Sequence, residues 1–224
     1  MSLNTRFTEV SLSKTFDRIR TLFELDKKSV LDLGCGYGEY LALCGEGSLG
    51  ITSNQEEVKE AIARGLSVMF GNIEELDQLN LKKSFAVVWA NNFFEHLLSP
   101  HAFLMNLKPL SKEGSFLILG VPVFPRILSL MHFSKWKGAL ASNHINFFTK
   151  ETLCETVERA GWRVLAVRPF FFKNKTLDYV ASFFAPHLYV VAHNESTFTY
   201  PPKKLMEWKG NSFYSNLLKI TQQE

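Results

Sequence analysis

The stretch Val30 to Tyr40, VLDLGCGYGEY, places three glycines in five positions directly behind an aliphatic run. Gly34 and Gly36 remove side chains where a buried strand turns toward a helix, so a ligand can approach the main chain and meet its N–H groups. The spacing is GxGxG, and Glu39 holds the place of the third glycine of a dinucleotide fingerprint. An acid there repels a pyrophosphate and costs nothing to a ligand without phosphates. Asp32 supplies a carboxylate either to the ligand or to local N–H groups of the turn. Two histidines add proton chemistry: His144 in SNHINFF and His96 in FFEHL, the imidazole being the side chain that exchanges a proton near neutral pH. His144 is the first candidate for a general base, with a structural role bonding loop backbone as its alternative. His96 is the second, and in its place an imidazole more often orients a loop. Glu95 beside it reads as a helix-start acid or a solvated carboxylate.

The elements that must position these residues follow from the spacing of apolar side chains. Leu12, Phe16, Ile19, Leu22 and Phe23 recur at helical intervals and predict an amphipathic helix over about 11–25. SVLDLG reads as a first strand, GEYLALCGEG as a helix ending at glycine, and SLGITS as a second strand. NQEEVKEAIARG reads as a helix with Asn54 as N-cap and Gly65 near its end. LSVMFG, SFAVVWAN and GSFLILGVP supply three more strands, with SPHAFLMNLKPL a helix between the last two. TKETLCETVERAGW is a further helix; WRVLAVRPF and HLYVVAHN are late strands, separated by residues 171–186. Alternation of this kind predicts a doubly wound α/β fold, a mostly parallel sheet with helices on both faces and right-handed crossovers. Ligands of such sheets bind outside the carboxyl ends of the strands, so the loops after Leu33, Thr52, Gly71, Ala90 and Val121 should share one rim.

These motifs carry a resemblance. VLDLGCGYG resembles motif I of the class I S-adenosylmethionine-dependent methyltransferases, and FAVVWANNFFEHL followed by LKPLSKEGSFLILGVP resembles that family's fourth and fifth strand regions. SNHINFFTKETLCETVERAGW is similar to a stretch of its small-molecule and lipid-modifying branches. The resemblance spans roughly residues 29–170 and implies a Rossmann-like seven-stranded sheet whose last strand is antiparallel, with S-adenosyl-L-methionine as cofactor. It places Gly34, Cys35 and Gly36 against the amino acid part of the cofactor and Asp32 near its ammonium group. Asn72 and Ile73 would lie beside adenine, with a helix N-cap as a second role for Asn72, and Ala90 and Asn91 would approach the methionine portion. The family commonly ends its second strand with an acid that accepts from the ribose hydroxyls, whereas this chain has Thr52. Thr52, Ser53, Asn54 or Gln55 could substitute with hydroxyl and amide groups, and an ordinary β-branched strand residue is the alternative for Thr52.

The chain of 224 residues is expected to form a single domain: a helical cap over 1–28, a cofactor-binding half over 29–122, a lid-like insert over 123–148, the rest of the sheet over 149–194 and a surface tail over 195–224. Scattered charges summing to +3 give no support for a nucleic acid partner. Cys35, Cys44 and Cys154 form neither a disulfide framework nor a zinc pattern, and His101, His132, His187 and His193 lack metal-ligand spacing, so no metal is expected. The longest apolar stretch is too short to span a bilayer, and a reduced, cytoplasmic protein is expected. Phe124, Phe133, Trp136, Phe147, Phe148 and Phe170 to Phe172 line an apolar acceptor pocket or pack the core. Arg126, Lys135, Lys137, Lys173 and Lys175 add positive charge in the same region. The leading expectation is methyl transfer to a small-molecule or lipid-like acceptor by in-line displacement. A catalytically inactive S-adenosylmethionine-binding protein is the alternative, and the glycine spacing disfavours a nicotinamide-dependent oxidoreductase. The acceptor atom and the oligomeric state are not legible in the sequence.

Overall fold

The structure, a computed structural model, describes residues 2–81, 84–125 and 144–210. Most of the expected insert, with Phe133, Trp136, Arg126, Lys135 and Lys137, and the end of the expected tail lie outside the described residues.

Seven strands form one sheet. They are β1 Val30–Leu33, β2 Leu49–Thr52, β3 Val68–Phe70, β4 Phe85–Asn91, β5 Ser111–Pro122, β6 Trp162–Arg168 and β7 His187–Asn194. Their spatial order is β3-β2-β1-β4-β5-β7-β6. The pairs from β3 through β5 are parallel, whereas β7 runs antiparallel to both β5 and β6. Helices α1 Leu3–Leu12, α2 Lys14–Phe23, α3 Gln55–Ala63, α4 Pro100–Leu107, α5 Lys150–Arg159, α6 Lys175–Ala181 and α7 Pro202–Trp208 surround the sheet. The Rossmann-like class and the single antiparallel strand are as expected.

Period-two alternation divides the core. Leu31, Leu33, Val88 and Ala90 belong to one cluster with residues of α4 and α5. Val30, Val87 and Trp89 belong to another, closed by Phe16 and Ile19 of α2. Asp32 shares the strand face of Val30 and stands in register with Trp89 on β4. The position that matters for chemistry therefore faces the N-terminal helices.

The helix expected over about 11–25 is α2, Lys14–Phe23, and a separate helix α1 precedes it; Ser13 closes α1 and caps α2, its hydroxyl accepting from the Phe16 N–H. The helix expected after the first strand is instead a run of turns ending in a single 3₁₀ turn, Leu41–Leu43. Gly34, Gly36 and Gly38 all take positive φ, +72°, +56° and +86°. Three left-handed residues in five positions leave too little chain before Gly45 for an α-helix to nucleate. Helix α6 was not read from the sequence; Asn174 caps it, and the buried Asp178 within it accepts from the N–H groups of Phe170, Phe171 and Phe172. That carboxylate fixes the phenylalanine run: Phe170 is buried, whereas Phe171 and Phe172 are exposed. Phe148 stacks on Phe94 in the core, whereas Phe170, buried in the cluster closed by α2, also borders with Phe172 and Lys175 a cleft between α2 and the start of α6.

Candidate functional site

Register places the strand ends on one rim: Leu33 pairs with Ile51 and Ala90, and Thr52 with Phe70. Beside β1 a cleft of about 320 Å³ is lined by Asp32, Gly34, Cys35, Gly36, Glu39 and Tyr40, by Trp89, Asn91 and Asn92 of the β4 end, and by Arg6, Glu9 and Val10 of α1. The sequence expectations for Asp32, Gly34, Cys35, Gly36 and Asn91 thus converge on one cavity. Not all the loop N–H groups are available there, since those of Gly34 and Cys35 both donate to the Ile51 carbonyl. The glycines contribute space more than donors. Cys35 itself is buried, its thiol pushed well up by burial, and it packs with Leu41, Val58, Ala61 and Val68.

The cleft has a defined electrostatic character. Asp32 is 1% exposed and its Oδ2 has no hydrogen-bond partner. Burial, with the Glu39 carboxylate adding to it, pushes the Asp32 carboxyl up to about 8. Glu39 is itself buried and paired with Arg6 of α1, Nε to Oε1 at 2.6 Å. Arg6 also lies over the Tyr37 ring, and Arg64 reaches from the end of α3 to Asn4, which pins α1 across the glycine loop. Three carboxyl side chains, Asp32, Glu39 and Glu9, against one guanidinium leave the walls short of positive charge. A buried carboxylate lacking a donor is an expensive group that a cationic ligand would satisfy.

Farther along the rim the expected residues are more fully occupied. Thr52 is buried and its hydroxyl donates to the Glu57 carboxylate on α3. Ser53 is exposed, and Asn54 caps α3 by accepting from the Glu56 N–H. Asn72 caps the 3₁₀ segment Ile73–Leu79 by accepting from the Glu74 N–H. Ile73 and Ala90 place their side chains in the main core. None of these six lines the cleft beside Asp32, although Thr52, Asn72 and Ala90 stand at or just beyond the ends of neighbouring strands. Glu57 was missed in the sequence because an acid in a helix's first turn ordinarily serves only the helix dipole. Thr52→Asp is accordingly expected to weaken the protein and not to repair a missing ribose acceptor. An aspartate has no proton to donate to Glu57 and sets like charges together, costing about 1–3 kcal/mol. A lower unfolding temperature with looser S-adenosylhomocysteine binding is the expected result, and tighter binding would refute it.

A second cluster follows β4. Glu95 is 1% exposed, and its Oε1 lies 3.7 Å from Nε2 of His96 and 3.7 Å from Nε2 of His144. Burial raises the Glu95 carboxyl, with its own backbone N–H and the two imidazoles opposing the shift. The rings of His96 and His144 meet edge to face at 4.8 Å between centroids. Backbone bonds bring the two segments together: the N–H groups of Ile145 and Asn146 donate to the Glu95 carbonyl, and the Asn146 amide donates to the carbonyls of Glu95 and Leu97. The structure therefore unites both histidine candidates and adds Glu95, which stands at a helix start, in the first turn of the 3₁₀ helix Phe94–His96, and is buried instead of solvated. His187, in which the sequence shows no site, bonds the Asn92 side chain at 2.9 Å. Burial pushes its imidazole down to about 4, so it meets Asn92 as a neutral ring, donating to the amide oxygen and positioning this wall of the cleft.

A Rossmann-like sheet with one antiparallel strand, a glycine loop without a phosphate cradle, and an acidic pocket beside it define an S-adenosylmethionine-dependent methyltransferase. The chain belongs to the methyltransferase domain family, which matches residues 5–167. Among solved structures it is similar to an S-adenosylmethionine-dependent methyltransferase from Archaeoglobus fulgidus, with 21% identity over 83% of this chain and 97% of that one and a TM-score of 0.60. It is similar to another from Mesorhizobium loti, with 15% identity over 82% and 99% and a TM-score of 0.61. A protein from Thermotoga maritima described as a possible histamine N-methyltransferase aligns at 17% identity over 85% and 91%, with a TM-score of 0.57. No curated protein matches this chain. Among the described residues no helix is long and apolar enough to cross a membrane.

Proposed function

We propose that the chain transfers the methyl group of S-adenosylmethionine to an oxygen or nitrogen of a small-molecule or lipid-like acceptor, with cofactor and acceptor meeting at the rim between the glycine loop and the loop after β4. The observation that carries this reading is the buried Asp32 carboxylate, whose Oδ2 has no hydrogen-bond partner, in a cleft also walled by Glu39. An ammonium group satisfies that carboxylate, and a sulfonium suits the acidic surroundings, whereas a dinucleotide pyrophosphate does not. The bound cofactor supplies an already activated electrophile, so the protein's own part is alignment, exclusion of water and, for an acceptor bearing a proton, removal of that proton. Arg6 and Val10 of α1 shield the cleft, consistent with a cap role for 1–28. His144 and His96, gathered around Glu95, are the groups that engage the acceptor's nucleophile. The acceptor class is supported by the resemblance of SNHINFF and its sequel to small-molecule and lipid-modifying branches, and by the aromatic, lysine-bearing surface around α6.

Gly36→Val tests the cofactor assignment. A Cβ there meets Glu39 Oε2 at 3.3 Å at a φ of +56°, so valine strains the loop and presses on the Arg6–Glu39 pair. Affinity for S-adenosylhomocysteine should fall at least tenfold, about 1.4 kcal/mol, in a protein that remains folded. Unchanged calorimetric affinity would remove the glycine loop from the cofactor site. Turnover across a panel of phenols, amines and lipid headgroups separates an active transferase from an inactive binder.

A further inference from the structure

Glu95, His96 and His144 offer one carboxylate oxygen and two imidazole nitrogens, all within 4.8 Å of one another. We propose that they form a binding site for a first-row divalent cation, with Zn²⁺ preferred. Two imidazoles and one carboxylate are a ligand set that zinc accepts at catalytic centres, where three protein ligands leave a position open. Ligand atoms about 3.3 Å apart suit bonds of about 2.0–2.1 Å in tetrahedral geometry. The two carboxylate–imidazole distances of 3.7 Å need to close by a few tenths of an ångström, and the widest separation among the three ligand atoms, up to 4.8 Å, by about 1.5 Å, which calls for rotation of the imidazoles about χ1 and χ2.

An independent observation points the same way. Glu95 is almost wholly buried, and its second oxygen, Oε2, has no hydrogen-bond partner. A buried carboxylate with an unsatisfied oxygen between two imidazoles calls for a missing positive partner. The cluster is also held in place from outside. Asn146 ties the His144 segment to the carbonyls of Glu95 and Leu97, so ligands separated by some fifty residues in sequence are fixed by backbone bonds. The loop that carries Glu95 and His96 leaves β4 directly after Asn91 and Asn92, which line the cofactor cleft. An ion at the cluster would thus stand at the rim where an acceptor must enter.

The site itself rests on this geometry, and its role rests on the methyl-transfer reading. A cation there binds the acceptor's hydroxyl oxygen and lowers its pKa, and the proton passes to solvent. The oxygen's electron pair then forms the new O–CH₃ bond as the S–CH₃ bond breaks, leaving S-adenosylhomocysteine and the methylated acceptor. No oxidant or reductant is required.

The test uses the full chain, stripped with a chelator and dialysed, titrated with ZnCl₂ by calorimetry, and separately with Co²⁺ as a spectroscopic probe. One equivalent should bind with a dissociation constant of about 1 μM or tighter, and both Glu95→Gln and His144→Ala should weaken it by about 10²-fold. Co²⁺ should give a visible band without thiolate charge transfer, and His101→Ala, outside the cluster, should bind as wild type does. Affinity for S-adenosylhomocysteine, measured in parallel, shows that each variant is folded. Wild-type protein that binds no Zn²⁺ below about 100 μM overturns the proposal, as does equal binding by Glu95→Gln and His144→Ala or a thiolate band. Failure of wild-type protein to bind S-adenosylhomocysteine would instead overturn the methyltransferase reading and leave the metal result standing.

Discussion

His144→Ala is expected to lower turnover about 10²-fold or more while leaving affinity for S-adenosylhomocysteine within about twofold. The imidazole is mostly buried, meets Glu95 and His96, and belongs to a segment fastened by Ile145 and Asn146, not to the walls of the Asp32 cleft. On the proposed role its loss removes a group that engages the acceptor, and it leaves the walls of the Asp32 cleft in place. His96→Ala should cost less, since that ring is the more exposed of the two, with side-chain exposures of 31% against 11%. A purely structural His144 gives a different pattern, in which thermal stability, cofactor affinity and rate fall together. Unchanged turnover would show that the acceptor is engaged elsewhere.

Asp32→Asn is expected to reduce cofactor affinity by about tenfold to a hundredfold near pH 8, the range of a charge-assisted bond in a buried site. The wild-type dependence on pH has a definite sign. Burial and Glu39 hold the Asp32 carboxyl at about 8, so below that pH the free protein carries a proton that must leave when an ammonium group arrives. Affinity should therefore rise with pH from 6 toward 8, by nearly tenfold per unit at the acid end. It should level off above, where Asp32 is already ionised, and fall once the ligand's own amino group loses its proton. The neutral asparagine should abolish the acid limb. Stability of the ligand-free protein runs the other way. A carboxyl raised from 3.8 to about 8 is favourable when protonated, and that contribution is lost as pH climbs through about 8. Asp32→Asn without ligand should thus melt higher than wild type at pH 8, and higher by less at pH 5. Calorimetry across pH 6–9 and thermal unfolding at the two pH values check both limbs. A flat affinity profile in wild type would mean that Asp32 does not meet the ammonium group.

The acidic cleft also explains why a loop of three glycines does not serve a dinucleotide. Glu39 does more than deny a place to a third glycine: it is buried, it pairs with Arg6 of α1, and it raises the neighbouring carboxyl. Removing α1 would take away Arg6, leave Glu39 without its guanidinium partner and open the cleft on one side.

Much of this protein was determined by its sequence read alone. The strands Val30–Leu33, Phe85–Asn91 and His187–Asn194 are legible because continuous or alternating apolar runs admit few other structures, and Asn54 announces α3 because a short amide side chain satisfies an orphan N–H. The left-handed glycines of the loop were legible as a backbone that side chains cannot share. Tertiary structure alone decided the rest, because the deciding contacts join residues far apart in the chain. Whether Asp32 is a cap or a vacant counter-charge depends on which groups surround it, and Glu39, Arg6 and Trp89 arrive from a turn, a helix and a neighbouring strand. The Thr52–Glu57 bond is the local exception, five residues apart across the β2–α3 junction, and it went unread because a first-turn acid has an ordinary role at the helix dipole. His96 and His144 become one site because backbone bonds near Asn146 close a loop of almost fifty residues around a carboxylate whose burial no local pattern reveals. Periodicity reports which face of an element is apolar; it carries no information about which polar groups the packing of those faces will bring within bonding distance.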